Sequence, residues 1–147
     1  AMVLTAPNNS YKAAPIICYE SIYSNYVTDY VRTGANILTV ITNDGWWGKT
    51  PGYQQHMSMS RLRAIENRMY VARSANTGIS CFIDPAGNVL QPQPWDTQAA
   101  IKMNIPPMQP SFYARHGDWM SRMLWPLAVL IFAWAIFKRI MLRKKRF

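Results

Sequence analysis

Apolar positions along this chain alternate between short β-branched runs and helical repeats. Residues 13–17 (Ala, Ala, Pro, Ile, Ile) predict a buried strand with a proline near its start. At Ser21 the period changes. Ile22, Tyr26 and Tyr30 make one i, i+4 row and Tyr23, Val27 and Val31 its neighbour. That spacing predicts a helix with one apolar face, Ser21 as its N-cap and Gly34 just past its end. Residues 37–42 (Ile, Leu, Thr, Val, Ile, Thr) predict a second buried strand. Strand, helix and strand within about 30 residues make a βαβ unit, so the two strands should be parallel. Residues 43–53 then form a loop at the carboxyl end of the second strand. Residues 54–67 predict a helix with Leu62, Ile65 and Met69 inward and Arg61 and Arg63 off that stripe, Arg63 pairing with Glu66. Residues 70–75 predict a strand. Residues 79–83 and 88–91 flank Asp84-Pro85-Ala86-Gly87, a hairpin signal. A last strand is expected over 99–105, stopped by Pro106-Pro107.

Residues 123–137 are an unbroken apolar run, short for a bilayer on their own. Trp119 and Met120 before it, and Ile140 to Leu142 after it, extend the run past two cations that can snorkel. No polar face interrupts it, which favours a spanning helix over residues 119–142 against an interfacial or buried one.

Charge sharpens this reading. The formal charge is +9, yet six of the sixteen cations stand at or beyond Lys138, and the rest of the chain holds ten cations against seven acids. A basic excess beside an apolar run points to a membrane boundary, not to nucleic acid, and places the basic end in the cytoplasm. Residues 1–118 are then a domain on the opposite side, 119–142 the membrane helix and 143–147 a basic cytoplasmic tail. The first residues lack a signal-peptide pattern, so the chain is expected to be a piece of a longer protein. Two cysteines make no disulfide framework, and no His or Cys spacing suits a metal or implies a cofactor. Cys81, inside an apolar run, reads as a core thiol; a bridge to Cys18 would silence that residue.

Cys18 ends a strand two residues before a helical pattern. Such a turn lifts a side chain above a sheet edge, and helix-start N–H groups favour a thiolate there. The Tyr19 N–H can help to form an oxyanion hole, and Glu20 adds a carboxylate. The same pattern also fits a small buried hydrophobe. On the following loop, Asn43, Asp44, Trp46, Trp47 and Gly48 are the candidate substrate-binding residues, with the tryptophans lining an apolar path or a lipid boundary. His56, at a helix start, reads as structural ahead of chemical.

Ile17-Cys18-Tyr19-Glu20, Gly34-Ala35-Asn36, Asn43-Asp44-Gly45-Trp46-Trp47-Gly48, Gln55-His56, the run from Arg61 to Asn67, the run from Asn76 to Ser80 and the run from Tyr113 to Trp119 follow one another in order. This series resembles the carbon–nitrogen hydrolase (nitrilase) superfamily and, within it, the apolipoprotein N-acyltransferases. The resemblance implies an α/β fold: the C-terminal portion of an α-β-β-α sandwich followed by one membrane helix. It implies Cys18 as nucleophile with Glu20 in support, and a base Glu and an oxyanion Lys on upstream segments; Lys12 does not match that Lys. The implied reaction moves a fatty acyl chain from a phospholipid donor, through a cysteine thioester, to the N-terminal amine of a diacylglyceryl-cysteine lipoprotein. The implied location is the inner membrane, with the catalytic domain in the periplasm. A membrane-tethered nitrilase-type amide hydrolase and a non-catalytic fragment remain as alternatives.

Overall fold

The computed structural model describes residues 2–8 and 10–144. They divide into two units after Gly117. Six strands of the first unit form a single sheet in chain order: β1 (Leu4–Thr5), β2 (Lys12–Ile17), β3 (Ile37–Thr42), β4 (Val71–Ala75), β5 (Cys81–Ile83) and β6 (Val89–Leu90). The β2–β3 and β3–β4 ladders are parallel and the others antiparallel. Because side chains alternate along a strand, one face collects Ala14, Ile16, Leu38, Val40, Val71, Cys81 and Ile83, all fully buried. The helices α1 (Ser24–Arg32) and α2 (Pro51–Asn67) and the one-turn α3 (Phe112–His116) complete this core: Val27, Val31, Ala64 and Ala114 join the same cluster. The opposite face carries Pro15, Ile17, Thr39, Ile41 and Ala72, and on it Ile17 and Ile41 are 52% and 54% exposed. Among the described residues of this unit, the helices cover one side of the sheet only. Apolar residues on both faces of a parallel pair are what a sandwich interior requires.

The βαβ unit has the expected order and the expected parallel register, Ile17 opposite Ile41. Gly34 (φ +104°) follows α1 in the left-handed conformation that glycine adopts without strain. Three expectations are corrected. Ser21 does not cap α1: it lies inside a short 3₁₀ turn, Cys18–Ile22, and α1 starts three residues later. The face that α2 buries is polar. His56, Ser60, Arg63 and Asn67 point in, whereas Leu62 and Ile65 are 46% and 48% exposed; of the three apolar residues expected inward only Met69, just past the helix, is buried. Residues 99–105 form no ladder. Beyond β6, itself two residues long, they run without a strand partner and only Ile105 among them is buried.

The second unit is the helix α4 (Trp119–Lys144). Its stretch Trp119–Met141 is long and apolar enough to cross a membrane by length and composition, and none of it is buried. At 1.5 Å per residue it spans about 35 Å, enough for a hydrocarbon core of about 30 Å. Residues 143 and 144 of the expected tail continue the helix, and residues 145–147 lie outside the described residues.

Candidate active site

Two parallel strands that end side by side deliver two turns to one edge of the sheet. After β2 comes Cys18; after β3 comes the 3₁₀ turn Asp44–Trp47. Cys18 has φ +50°, a conformation that a non-glycine residue holds only where its surroundings impose it. Three contacts impose it here. The Glu20 carboxylate accepts from the Ile17 N–H at 2.7 Å. The Tyr26 hydroxyl donates to the other Glu20 oxygen at 3.0 Å. The Ser21 hydroxyl donates to the Cys18 carbonyl at 3.0 Å. The hydrogen bond with Tyr30, then desolvation and the Glu20 charge, push the Tyr26 phenol above its ordinary pKa, so it remains a donor to Glu20.

Beneath Cys18 lies a buried polar chain. Asp44 Oδ1 is 2.8 Å from His56 Nδ1, and His56 Nε2 is 3.0 Å from Ser21 Oγ and 3.2 Å from the Cys18 carbonyl. The Arg73 guanidinium donates to Asp44 Oδ2 at 2.6 Å, to Ser60 Oγ at 3.1 Å and to the Ile79 carbonyl at 3.2 Å. The Thr42 hydroxyl stands 3.3 Å from Cys18 Sγ and 3.1 Å from Asp44 Oδ1, with one proton for the two acceptors. Burial alone would raise the Asp44 pKa. The hydrogen bond from His56 and the charge of Arg73 outweigh it and hold the carboxyl below its ordinary range. Asp44, His56 and Ser21 have the connectivity of a serine-hydrolase triad. Ser21 nevertheless has no exposed surface, so its hydroxyl cannot meet a substrate. The half-buried Cys18 is the thiol this network surrounds.

The anticipated site residues separate into three groups. Cys18, Tyr19 and Trp47 come together: the Tyr19 and Trp47 rings sit 5.6 Å and 5.3 Å from the His56 ring and 6.0 Å from each other. With Ile22, Gln55 and Met59, Tyr19 and Trp47 line a small cavity beside His56. Gly52 lets Trp47 lie there, since a β-carbon at that position would meet Trp47 Cγ at 2.8 Å. Glu20 is in the same turn as Cys18 but faces its own backbone. Of the loop residues expected to bind substrate, Asp44 is fully buried with both oxygens engaged, and Asn43 Oδ1 accepts from the Gly45 N–H at 3.0 Å. Gly48 closes that turn, and Trp46 is 85% exposed. From sequence alone His56 reads as structural, and Ser21, Thr42 and Arg73 have no place at the site. One signal did exist: His56, Ser60, Arg63 and Asn67 recur along a single face of α2. Cys81, in β5, is a free core thiol that burial pushes up to about 11, partly offset by Arg73.

The carbon–nitrogen hydrolase family pattern matches residues 3–109. Among curated proteins, the chain is 42% identical over 130 residues to an apolipoprotein N-acyltransferase of Chlorobaculum tepidum, covering 87% of this chain and 24% of that protein. It is 39% identical over 120 residues to an enzyme of the same name from Bradyrhizobium diazoefficiens, covering 81% of this chain and 22% of the relative. The chain therefore spans about a quarter of the length of these relatives. Among solved structures, an amidase from Nesterenkonia sp. AN1 aligns over 84% of this chain and 48% of its own, with a TM-score of 0.55 at 19% identity. A carbon–nitrogen hydrolase from Helicobacter pylori G27 aligns over 60% of this chain and 38% of its own, with a TM-score of 0.52 at 16% identity. These two likenesses establish the nitrilase-like fold.

Proposed function

Because this chain belongs to the carbon–nitrogen hydrolase family, we propose that it is the cysteine-bearing, C-terminal part of an apolipoprotein N-acyltransferase. The observation that carries this is the Cys18 turn: a strained position at the carboxyl edge of two parallel strands, with its Sγ against Thr42 and its carbonyl against Ser21 and His56. The Cys18 thiolate attacks the ester carbonyl of a phospholipid. A C–S bond forms, the carbonyl pair moves to oxygen, and the tetrahedral anion collapses with loss of the lysophospholipid alkoxide, which takes a proton from the base Glu. The lipoprotein's N-terminal amine then attacks the thioester. A C–N bond replaces the C–S bond, the amine's proton passes to the Glu, and the thiolate is restored. Splitting one difficult amide synthesis into two acyl transfers lowers each barrier. The Tyr19 N–H and the family's Lys stabilise the oxyanion, and Glu20 fixes the turn by its bonds to Ile17 and Tyr26.

The Glu and the Lys belong to upstream segments of the whole protein. The open sheet face with Ile17 and Ile41 supports this, since it needs a second layer to cover it. Both substrates reside in a bilayer, and α4 supplies an anchor for the catalytic domain. The six cations from Lys138 onward support a topology with the basic end in the cytoplasm and residues 1–118 in the periplasm, at an inner membrane. The exposed Trp46 suits a lipid boundary and distinguishes this reading from a soluble amidase.

The test is reconstitution. This chain alone should form no acyl-enzyme, and the same chain joined to its upstream portion should transfer acyl groups from phospholipid to a diacylglyceryl-cysteine peptide. Transfer by this chain alone, or hydrolysis of simple amides by the complete protein without any acyl transfer, would defeat the proposal.

A further inference from the structure

We propose that His56 and Ser21 set the oxyanion hole of Cys18 by fixing one peptide plane. The inference rests on Cys18 being the nucleophile. A trans peptide points its C=O and the following N–H in opposite directions. The plane between Cys18 and Tyr19 has its carbonyl held inward: it accepts from the Ser21 hydroxyl at 3.0 Å and lies 3.2 Å from His56 Nε2. Both side chains are buried. The Tyr19 N–H is therefore turned away from His56, to the side where an acyl oxygen arrives. It also stands at the start of a helical turn, where N–H groups have no partner within the helix.

The arrangement needs holding. Rotation of this plane about the bonds that flank it, Cys18 Cα–C and Tyr19 N–Cα, would turn the N–H inward. His56 is braced against such a rotation from two directions. Nδ1 lies 2.8 Å from Asp44, which Arg73 grips at 2.6 Å. The Tyr19 and Trp47 rings pack against the imidazole and against each other. Ser21 has no exposed surface and His56 almost none, so they are positioning residues: their effect reaches the reaction through the Tyr19 N–H.

Two probes separate this role from general damage. Iodoacetamide alkylates a thiolate by displacement: a C–S bond forms, iodide leaves and no oxyanion arises. A p-nitrophenyl ester acylates the same sulfur through a tetrahedral anion that expels p-nitrophenolate. In the complete protein in detergent, Ser21→Ala and His56→Ala should each slow ester acylation of Cys18 about 10²-fold, the usual effect of losing one oxyanion donor. The maximal rate should fall and the half-saturating ester concentration should stay. Alkylation by iodoacetamide should change less than about threefold, because it needs no such donor. His56→Gln, whose side-chain amide can again meet Ser21 Oγ, should recover part of the loss. Ester acylation unchanged in both alanine variants overturns the inference. So does a parallel fall of acylation and alkylation in Ser21→Ala, which removes a single oxygen and decides the matter if His56→Ala does not fold. A parent that the ester cannot acylate also overturns it. A parent that reacts with the ester but not with phospholipid, alongside variants that behave as expected, upholds this inference and defeats the acyl-donor assignment.

Discussion

Replacing Asp44 by Asn tests whether the buried chain beneath Cys18 holds the domain together. The substitution keeps the shape and removes the charge. Arg73, whose side chain is fully buried against Asp44, loses its counterion at 2.6 Å. The new amide cannot accept through both arms, so one of the donors on His56, Thr42 or Arg73 faces an NH₂ group. Removing one partner of a buried ion pair costs about 3–5 kcal/mol. Arg73 keeps Ser60 Oγ and the Ile79 carbonyl, which puts the loss at the lower end, about 3 kcal/mol. At about 1.4 kcal/mol per factor of ten, opening becomes roughly 10²-fold more frequent. Cys81 reports that opening. It is fully buried in β5, directly opposite Arg73 in the ladder, so a thiol reagent reaches it only in opened molecules. Peptide mass spectrometry should find Cys81 labelled about 10²-fold faster in Asp44→Asn than in the parent, with part of the protection restored by adding Arg73→Met. Equal labelling of parent and variant would refute the reasoning. The pH dependence has a definite sign. The folded pKa of Asp44 lies below the unfolded value, so its stabilisation is present above about pH 3.9 and is lost as pH falls through the folded value. A thermal-melt series should show that acid limb in the parent and lose it in Asp44→Asn.

Three further outcomes are expected. Thr42→Val should slow iodoacetamide alkylation of Cys18 at pH 7 about tenfold, because a hydrogen bond to a charged acceptor is worth about 1.5–3 kcal/mol and Asp44 competes for this one; Thr42→Ser should preserve the rate. Gly78→Ala should lower the melting temperature through a loss of about 1–3 kcal/mol, since its new Cβ would meet Asp44 Cβ at 2.9 Å and its carboxylate more closely, at φ +152°. Single cysteines near Gln93 and Lys145, in a background without the native two, should label differently with an impermeant reagent in outer-membrane-permeabilised cells: Gln93 reactive, Lys145 protected. Labelling at both sites would mean that α4 lies on the membrane without crossing it.

The parallel βαβ unit was legible because its strands are continuous apolar runs and its helix repeats every four residues, both properties of adjacent side chains. Cys18 was legible as the residue between the two patterns. His56 was not. Its partners Asp44, Ser21 and Arg73 are 12, 35 and 17 residues away and meet it only after α2 packs on the sheet. For the same reason α2 was turned the wrong way. Leu62 and Ile65 suggested an apolar inner face, but Arg73 rising from β4 and Asp44 from the neighbouring turn make a polar inner face the satisfied one. Residues 99–105 have a strand's composition without a strand's neighbour, and a ladder needs both.

The proposed function makes Cys18 the carrier of the acyl group. Cys81→Ala and Cys18→Ala versions of the complete protein, incubated with phospholipid and no acceptor, then denatured in acid and digested, test it by peptide mass. A fatty acyl thioester is expected on the peptide containing Cys18 in the Cys81→Ala protein, and no acyl-enzyme in the Cys18→Ala protein. An acyl adduct on Cys81, or undiminished acyl transfer without Cys18, would contradict it.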